Sequence, residues 1–230
     1  MGTHRSKNVI LFVQARSNSV RFPNKIFKKL HGISIIEWII HRLSNLKKIN
    51  DVIYLIPDNL DNDKLNNKLK KNKVKIYRGN EDNVLKRFYD AAVLFNASHI
   101  VRVCADNPLV LGTEIDLLVD KYFNNDCDYM YNHIPLKNNY PDGLGGEIIS
   151  FELLNYIYKN AKSDFHLEHC FSYIHDNSNS FIIKTFDPLK KYRFRPDLKF
   201  DVDEKKDLDF LNSKIFDLDV DFDELIKLFG

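Results

Sequence analysis

The chain has 230 residues, 44% hydrophobic and 29% charged, which fits one globular domain. Thirty-four lysines and arginines against 32 aspartates and glutamates leave a net charge of +2. That balance argues against a general nucleic-acid binder and leaves any anion recognition to local clusters. No apolar run approaches the ~20 residues a membrane helix needs, so no membrane span is expected. Cys104, Cys127 and Cys170 are scattered and suit a reducing cytosol better than a disulfide framework, so a cytoplasmic protein is expected. The opening "MGTHRSKN" lacks the apolar core of a secretory signal and reads as a lead-in.

The apolar run Val9 to Val13 predicts a fully buried strand. A polar loop with Arg16, Arg21 and Lys25 follows, and then a helix carrying Ile35, Ile36, Trp38, Ile39, Ile40 and Leu43. Asp51–Pro57 predicts a strand, 60–71 a solvated helix, and Val74–Tyr77 a third strand. "EDNVLKRFYDAAVLF" places Val84, Leu85, Phe88, Ala91, Ala92 and Phe95 at helical spacing, with Glu81 and Asp82 expected in its first turn. His99–Cys104 is the next strand, Thr113 and Glu114 start a helix, and Asp128–Asn132 is a strand again. Strand–helix alternation predicts an α/β fold with a largely parallel sheet covered on both faces, and ligands beyond the carboxyl ends of its strands. After Asn132 the rhythm changes. Turn residues precede a strand at Glu147–Ser150, two helices at 151–159 and 166–176, and a strand in "SFIIKTF". The stretch 132–187 is therefore expected to form an inserted lobe for substrate closure or dimerisation within a single domain spanning 1–230. "KFDVDEKKDLDFLNSKI" predicts a strand and a helix, and "DFDELIKLF" an amphipathic end.

Three groups of residues point to chemistry. Arg16, Arg21 and Lys25, with Ser17, Asn18 and Ser19 between them, could cradle a polyphosphate through N–H groups, hydroxyls and cations. The same composition also suits a solvated basic loop, and it has neither a Walker nor a dinucleotide glycine pattern. Asp106, after a strand, and Asp201 and Asp203, two apart on one face of an extended segment, could hold Mg²⁺ beside phosphate. Equally, Asp106 could begin a turn before Pro108 and Asp203 could cap a helix. "YPDGLGGE", with Asp142 and Gly143, reads as a hairpin turn or as a loop closing on substrate. His166 and His169 lie three apart but lack further ligands at zinc spacing.

Five ordered segments, "VQARSNSVRFPNKIFKKLHG", "YRGNEDNVLKRFYDAA", "IVRVCADNPLV", "YPDGLGGEIISFELL" and "LEHCFSYI", resemble the SpsF-type family of spore-coat polysaccharide biosynthesis. That family is similar to the acylneuraminate and 3-deoxy-octulosonate cytidylyltransferases. The resemblance runs from about Val9 to Leu211. It implies a Rossmann-like nucleotide-diphospho-sugar transferase fold, with CMP passing from CTP to a sugar acid or a related acidic or phosphorylated acceptor. Ala15, Arg16, Ser17, Ser19, Arg21 and Lys25 match the family's nucleotide-binding loop. Asp106 and Asp203 match its acidic residues, expected to hold Mg²⁺, and Asp201 matches the first member of an Asp-X-Asp pair. Arg16, Lys25, Asp106 and Asp203 are the expected catalytic set; Glu147, His169 and Arg193 are expected acceptor contacts by position. A homodimer is implied.

Three departures stand out. Arg-Ser-Asn-Ser replaces the Arg-Gly-Gly-Ser of the sialic-acid branch. Ala105-Asp106-Asn107-Pro108 stands for Gly-Asp-Cys-Pro, and Gly145 stands where an acid is usual. The rival readings are a glycosyltransferase of the same fold, which would bind a finished nucleotide sugar, and a non-catalytic nucleotide-binding scaffold.

Overall fold

The computed structural model describes residues 7–230; most of the sequence lead-in, residues 1–6, lies outside the described residues. Strand β1 (Val9–Gln14) forms where the sequence is continuously apolar, because parallel neighbours flank it and helices cover both faces. Two-residue strands β2 (Lys29–Leu30) and β3 (Ile33–Ser34) make a small hairpin before helix α1 (Ile35–Arg42), in which the Trp38 indole donates to the Leu30 carbonyl. Next come β4 (Asp51–Pro57), α2 (Asp63–Lys71), β5 (Lys75–Gly79), α3 (Val84–Leu94), β6 (His99–Cys104) and α4 (Gly112–Phe123). The second half holds β7 (Tyr129–Tyr131), β8 (Glu147–Ser150), α5 (Phe151–Asn160), α6 (Asp164–Glu168), α7 (Ser172–Asp176), β9 (Ile183–Thr185), α8 (Lys205–Asn212) and α9 (Phe222–Phe229).

One seven-stranded sheet runs β5-β4-β1-β6-β8-β7-β9, and only β8 is antiparallel to its neighbours. This is the mostly parallel α/β sheet the alternation predicts. Alternate β1 residues face opposite cores. Leu11 and Val13 pack with α1, α4, α8 and α9, whereas Ile10 and Phe12 pack with α3, α5 and α7. The carboxyl ends of β1, β4, β5 and β6 share one edge, where Gln14, Pro57, Gly79 and Cys104 lie.

Several expectations need adjusting. Residues 132–187 are not set apart from the sheet: they supply β8 and β9 to it and α5–α7 to one face. The helix expected at 166–176 is two short ones, interrupted at His169–Phe171, where Cys170 and Phe171 are buried. Helix α3 begins at Val84, capped by the Asn83 side chain, so Glu81 and Asp82 precede it. No ladder forms at 199–203. That segment is tied by single hydrogen bonds to residues 142 and 106, with an isolated bridge from Asp142 to Lys199.

Candidate active site

A cleft of about 210 Å³ opens at the carboxyl edge of the sheet. Ala15, Arg16, Ser19, Arg21 and Lys25 of the basic loop line it, together with Asp106 and His169. Buried Ile26 and Phe22 anchor the loop on the α1 side of the sheet. The rest of the loop is pinned by residues that follow β4. The Ser17 N–H donates to Asn62 Oδ1 at 2.8 Å, and Asn62 in turn donates to Asn59. The Asn18 amide donates to Asp61 at 2.8 Å, which turns it away from the cleft. Ser17 and Asn18 therefore hold the loop's shape, while Arg16, Ser19, Arg21 and Lys25 present polar groups to the cleft.

Asp201 and Asp203 share one face, as their spacing suggested, and Asp203 lies beside Asp106 although no strand forms there. The 199–203 segment is extended, so buried Phe200 and Val202 face the core while Lys199, Asp201 and Asp203 share the opposite face. The Val202 N–H donates to the Asp106 carbonyl at 2.7 Å, which brings two segments nearly a hundred residues apart side by side. Lys25 Nζ then bridges their carboxylates, at 3.5 Å from Asp106 and 3.4 Å from Asp203, while donating to the Val202 carbonyl at 2.9 Å. Arg21 binds Asp203 through both guanidinium ends, at 2.9 and 3.1 Å. The cations of the loop and the acids of the far segments thus neutralise one another.

Asp142 and Asp201 extend this cluster. Burial, reinforced by Asp201 and by the more distant Asp106 and Asp203, raises Asp142 to about 7 against the pull of Lys199. Asp201 is also raised, by burial first, and one of its oxygens is buried without a partner while the other meets Lys199 at 3.3 Å. Gly143 makes the approach possible: its φ of +89° suits glycine, and a Cβ there would sit 2.7 Å from the Asp201 nitrogen.

Two expected acceptor contacts lie elsewhere. Glu147 is buried in β8 directly opposite Arg102 of β6, and its oxygens accept from Arg102 and from the Tyr129 hydroxyl. Burial alone would raise its pKa, but Arg102 and its other partners hold it below the usual carboxylate range. It does not line the cleft. Arg193 stacks on Phe222 and pairs with Asp223 at 2.5 Å and Glu114 at 3.7 Å, in a separate groove. The two histidines also part company. His166 meets Asp176 at 2.8 Å, whereas His169 ends α6 and faces the cleft.

A sequence model described as Cytidylyltransferase matches residues 10–227. The chain belongs to the cytidylyltransferase family. An uncharacterized protein of Methanocaldococcus jannaschii is 32% identical over 199 residues, covering 86% of this chain and 79% of that one. The spore coat polysaccharide biosynthesis protein SpsF of Bacillus subtilis is 26% identical over 211 residues, 90% of this chain and 85% of that relative. A solved cytidylyltransferase from Leptospira borgpetersenii superposes with a TM-score of 0.86 at 26% identity, covering 96% of this chain and 92% of that one. The protein is a CTP-dependent nucleotidyltransferase of the α/β nucleotidyltransferase fold.

This cytidylyltransferase also lines its cleft with residues to which the sequence assigns no role: Gln14, Arg87, Arg102 and Glu168. Arg102 donates to Gln14 at 2.8 Å, and Glu168 meets Arg16 at 3.5 Å across the opening. Where the resemblance leads one to expect an acid at 145, no side chain fits, since a Cβ would lie 2.2 Å from Asn132 Oδ1. Burial pushes the Cys104 and Cys170 thiols up to about 12 and about 11, so neither is a ready nucleophile. No helix among the described residues is long and apolar enough to cross a membrane.

The donor set suits a hard divalent cation. Asp106 and Asp203 offer oxygen ligands on either side of a position that a lysine ammonium already approaches. Among the described residues no three acidic, histidine or cysteine side chains enclose a metal by themselves. The Asp106–Asp203 pair would suit Mg²⁺, which takes one or two carboxylates and completes its shell with phosphate and water.

Proposed function

We propose that the enzyme transfers CMP from CTP to an acidic acceptor, a sugar acid or a phosphorylated polyol, with release of pyrophosphate, in the making of a surface polysaccharide. The observation that carries the reading is the meeting of Arg21 and Lys25 with Asp106 and Asp203 at the carboxyl edge of the sheet. The relationship to SpsF supports the polysaccharide role.

An oxygen of the acceptor attacks the α-phosphorus, the bond to the β-phosphate oxygen breaks, and pyrophosphate carries the electrons away. Arg21, exposed on the loop, releases Asp203 and binds the β- and γ-phosphates. Lys25 and Arg16 supply positive charge where the α-phosphate gains negative charge. Held by Asp106 and Asp203, Mg²⁺ would supply further charge neutralisation there. A phosphate oxygen of the acceptor is already ionised and needs no general base, whereas a sugar-acid hydroxyl would pass its proton to water as it attacks and leave the carboxylate free to be bound. A glycosyltransferase would use the same acids, but would have no leaving pyrophosphate for the loop cations to hold.

The test is pyrophosphate release from each of the four nucleoside triphosphates, against a panel of 2-keto sugar acids, phosphorylated polyols and phosphonates. Release from CTP with an anionic acceptor, abolished in Asp203→Asn, supports the reading. Release only from a nucleotide sugar, as free nucleoside diphosphate, supports the glycosyltransferase instead.

A further inference from the structure

Arg87 is nearly fully buried, yet its guanidinium has no hydrogen-bonded or ion-paired partner among the described residues. The other deeply placed guanidiniums are all provided for. Arg102 meets Glu147 and Gln14, Arg193 meets Asp223 and Glu114, and Arg42 donates to the carbonyls of Val110, Leu218 and Val220. The neighbouring Lys86, on the outer face of the same helix, pairs with Asp90 four residues on. Arg87 instead lines the cleft from α3, with its Nε and Nη1 sealed from solvent and unused.

The surroundings disfavour a cation there on balance, since Glu81 favours the charge less than burial opposes it. Arg87 occupies the N-terminal turn of α3, where the helix dipole disfavours positive charge. Burial, with the nearby Arg16 adding repulsion, pulls its pKa down to about 10. The surroundings are nevertheless built around it: a Cβ on Gly79 would come within 2.9 Å of the Arg87 stem. A buried charge without a partner is strongly unfavourable, so it persists where a ligand completes it.

The wall matters as well. Arg21 and Lys25 stand with the acids on the α1 side of the sheet and serve the triphosphate. Arg87 comes from the α3 side, beside Glu168 at the end of α6 and His169 just after it. We propose that Arg87 is a specificity-determining residue that anchors the anionic group, carboxylate or phosphate, of the molecule receiving CMP. The assignment rests on the reading of the cleft as a nucleotidyl-transfer site. A desolvated guanidinium bound to an anion gains charge-assisted hydrogen bonds that a neutral hydroxyl ligand cannot match, so neutral acceptors are refused.

The test uses melting curves of the full chain with a 2-keto sugar acid, glycerol phosphate, inorganic phosphate or neutral glycerol, beside calorimetry with CTP. Wild type should be stabilised by anionic probes and not by glycerol; the sugar acid and the phosphates separate the two sources of charge. Arg87→Met, which keeps the stem without the charge, should melt higher than wild type and lose the anion response. Affinity for the favoured probe should fall roughly tenfold or more, with CTP affinity little changed. Arg87→Lys should keep a weaker anion response. An Arg87→Met that melts lower, or that keeps the anion response, overturns the proposal. So does a loss of CTP affinity as large as the loss for the anions, which would assign Arg87 to the nucleotide. Failure of wild type to bind CTP would instead defeat the nucleotidyl-transfer reading, leaving the anion response of Arg87 to be judged by the same melts.

Discussion

Replacing Lys25 with Met should destabilise the free enzyme and make it more responsive to divalent cations. The ammonium is mostly buried and touches three oxygens, the Val202 carbonyl at 2.9 Å and the Asp203 and Asp106 carboxylates at 3.4 and 3.5 Å. Met keeps the apolar stem, so the change isolates the charge. Without it Asp106 and Asp203 face each other with Asp142 and Asp201 close by, and only Arg21 and Lys199 remain to offset them. Hydrogen bonds to charged groups contribute about 1.5–3 kcal/mol. The two carboxylate contacts are long and partly exposed, so a net loss of about 2 kcal/mol is expected. In a chain of this size that corresponds to a fall of about 4–8 °C in Tm. The assay is calorimetric melting in chelator and again in millimolar Mg²⁺. The ion should restore more stability to Lys25→Met than it adds to wild type, because the ammonium no longer competes for the same carboxylates. An unchanged Tm in chelator, or equal Mg²⁺ responses, would refute the view that Lys25 stands at a cation position.

Three other outcomes are expected. Asp142 has a folded pKa of about 7, above its unfolded value, so its contribution to stability is full below about pH 4 and is lost as pH rises through about 7. Urea midpoints taken in chelator should therefore fall between pH 5 and 8 in wild type and fall less in Asp142→Asn; parallel curves would count against the carboxylate cluster. Arg21→Ala should weaken CTP binding by about tenfold or more, with a smaller loss for CMP, by calorimetry. The chain should also scatter light as a homodimer at micromolar concentration, with residues 132–187 supplying much of the contact, and a monomer would contradict this.

Much of the fold is legible because the buried strands are unbroken apolar runs. β4, β6 and β8 fall where Asp51–Pro57, His99–Cys104 and Glu147–Ser150 were expected. The convergence of Asp106 and Asp203 is legible only in part: Asp106 follows β6 as expected, but Asp203 ends an extended segment outside the sheet and is brought there by the hydrogen bond from Val202 to Asp106. Contacts set by register are not legible. Glu147 looks like a site residue until the antiparallel pairing of β8 with β6 places it opposite Arg102, where it becomes an internal counter-ion. Likewise Asn59 and Asn62 reveal their grip on Ser17 only when the loop after β4 lies against the basic loop. Arg87 did leave a signal. It falls on the apolar stripe of α3 with Val84, Phe88 and Ala91, where a charged side chain is out of place unless something meets it.

If the loop cations and the Asp106–Asp203 edge together form the CTP site, calorimetric titration of CTP in Mg²⁺ into wild type, Asp106→Asn and Asp203→Asn will show it, with ATP and GTP as controls. Wild type should bind CTP far better than ATP or GTP. Each variant, folded by its unchanged melting cooperativity, should lose most of that affinity. Variants that bind CTP as wild type does, or a wild type that binds all the triphosphates equally, would contradict that reading.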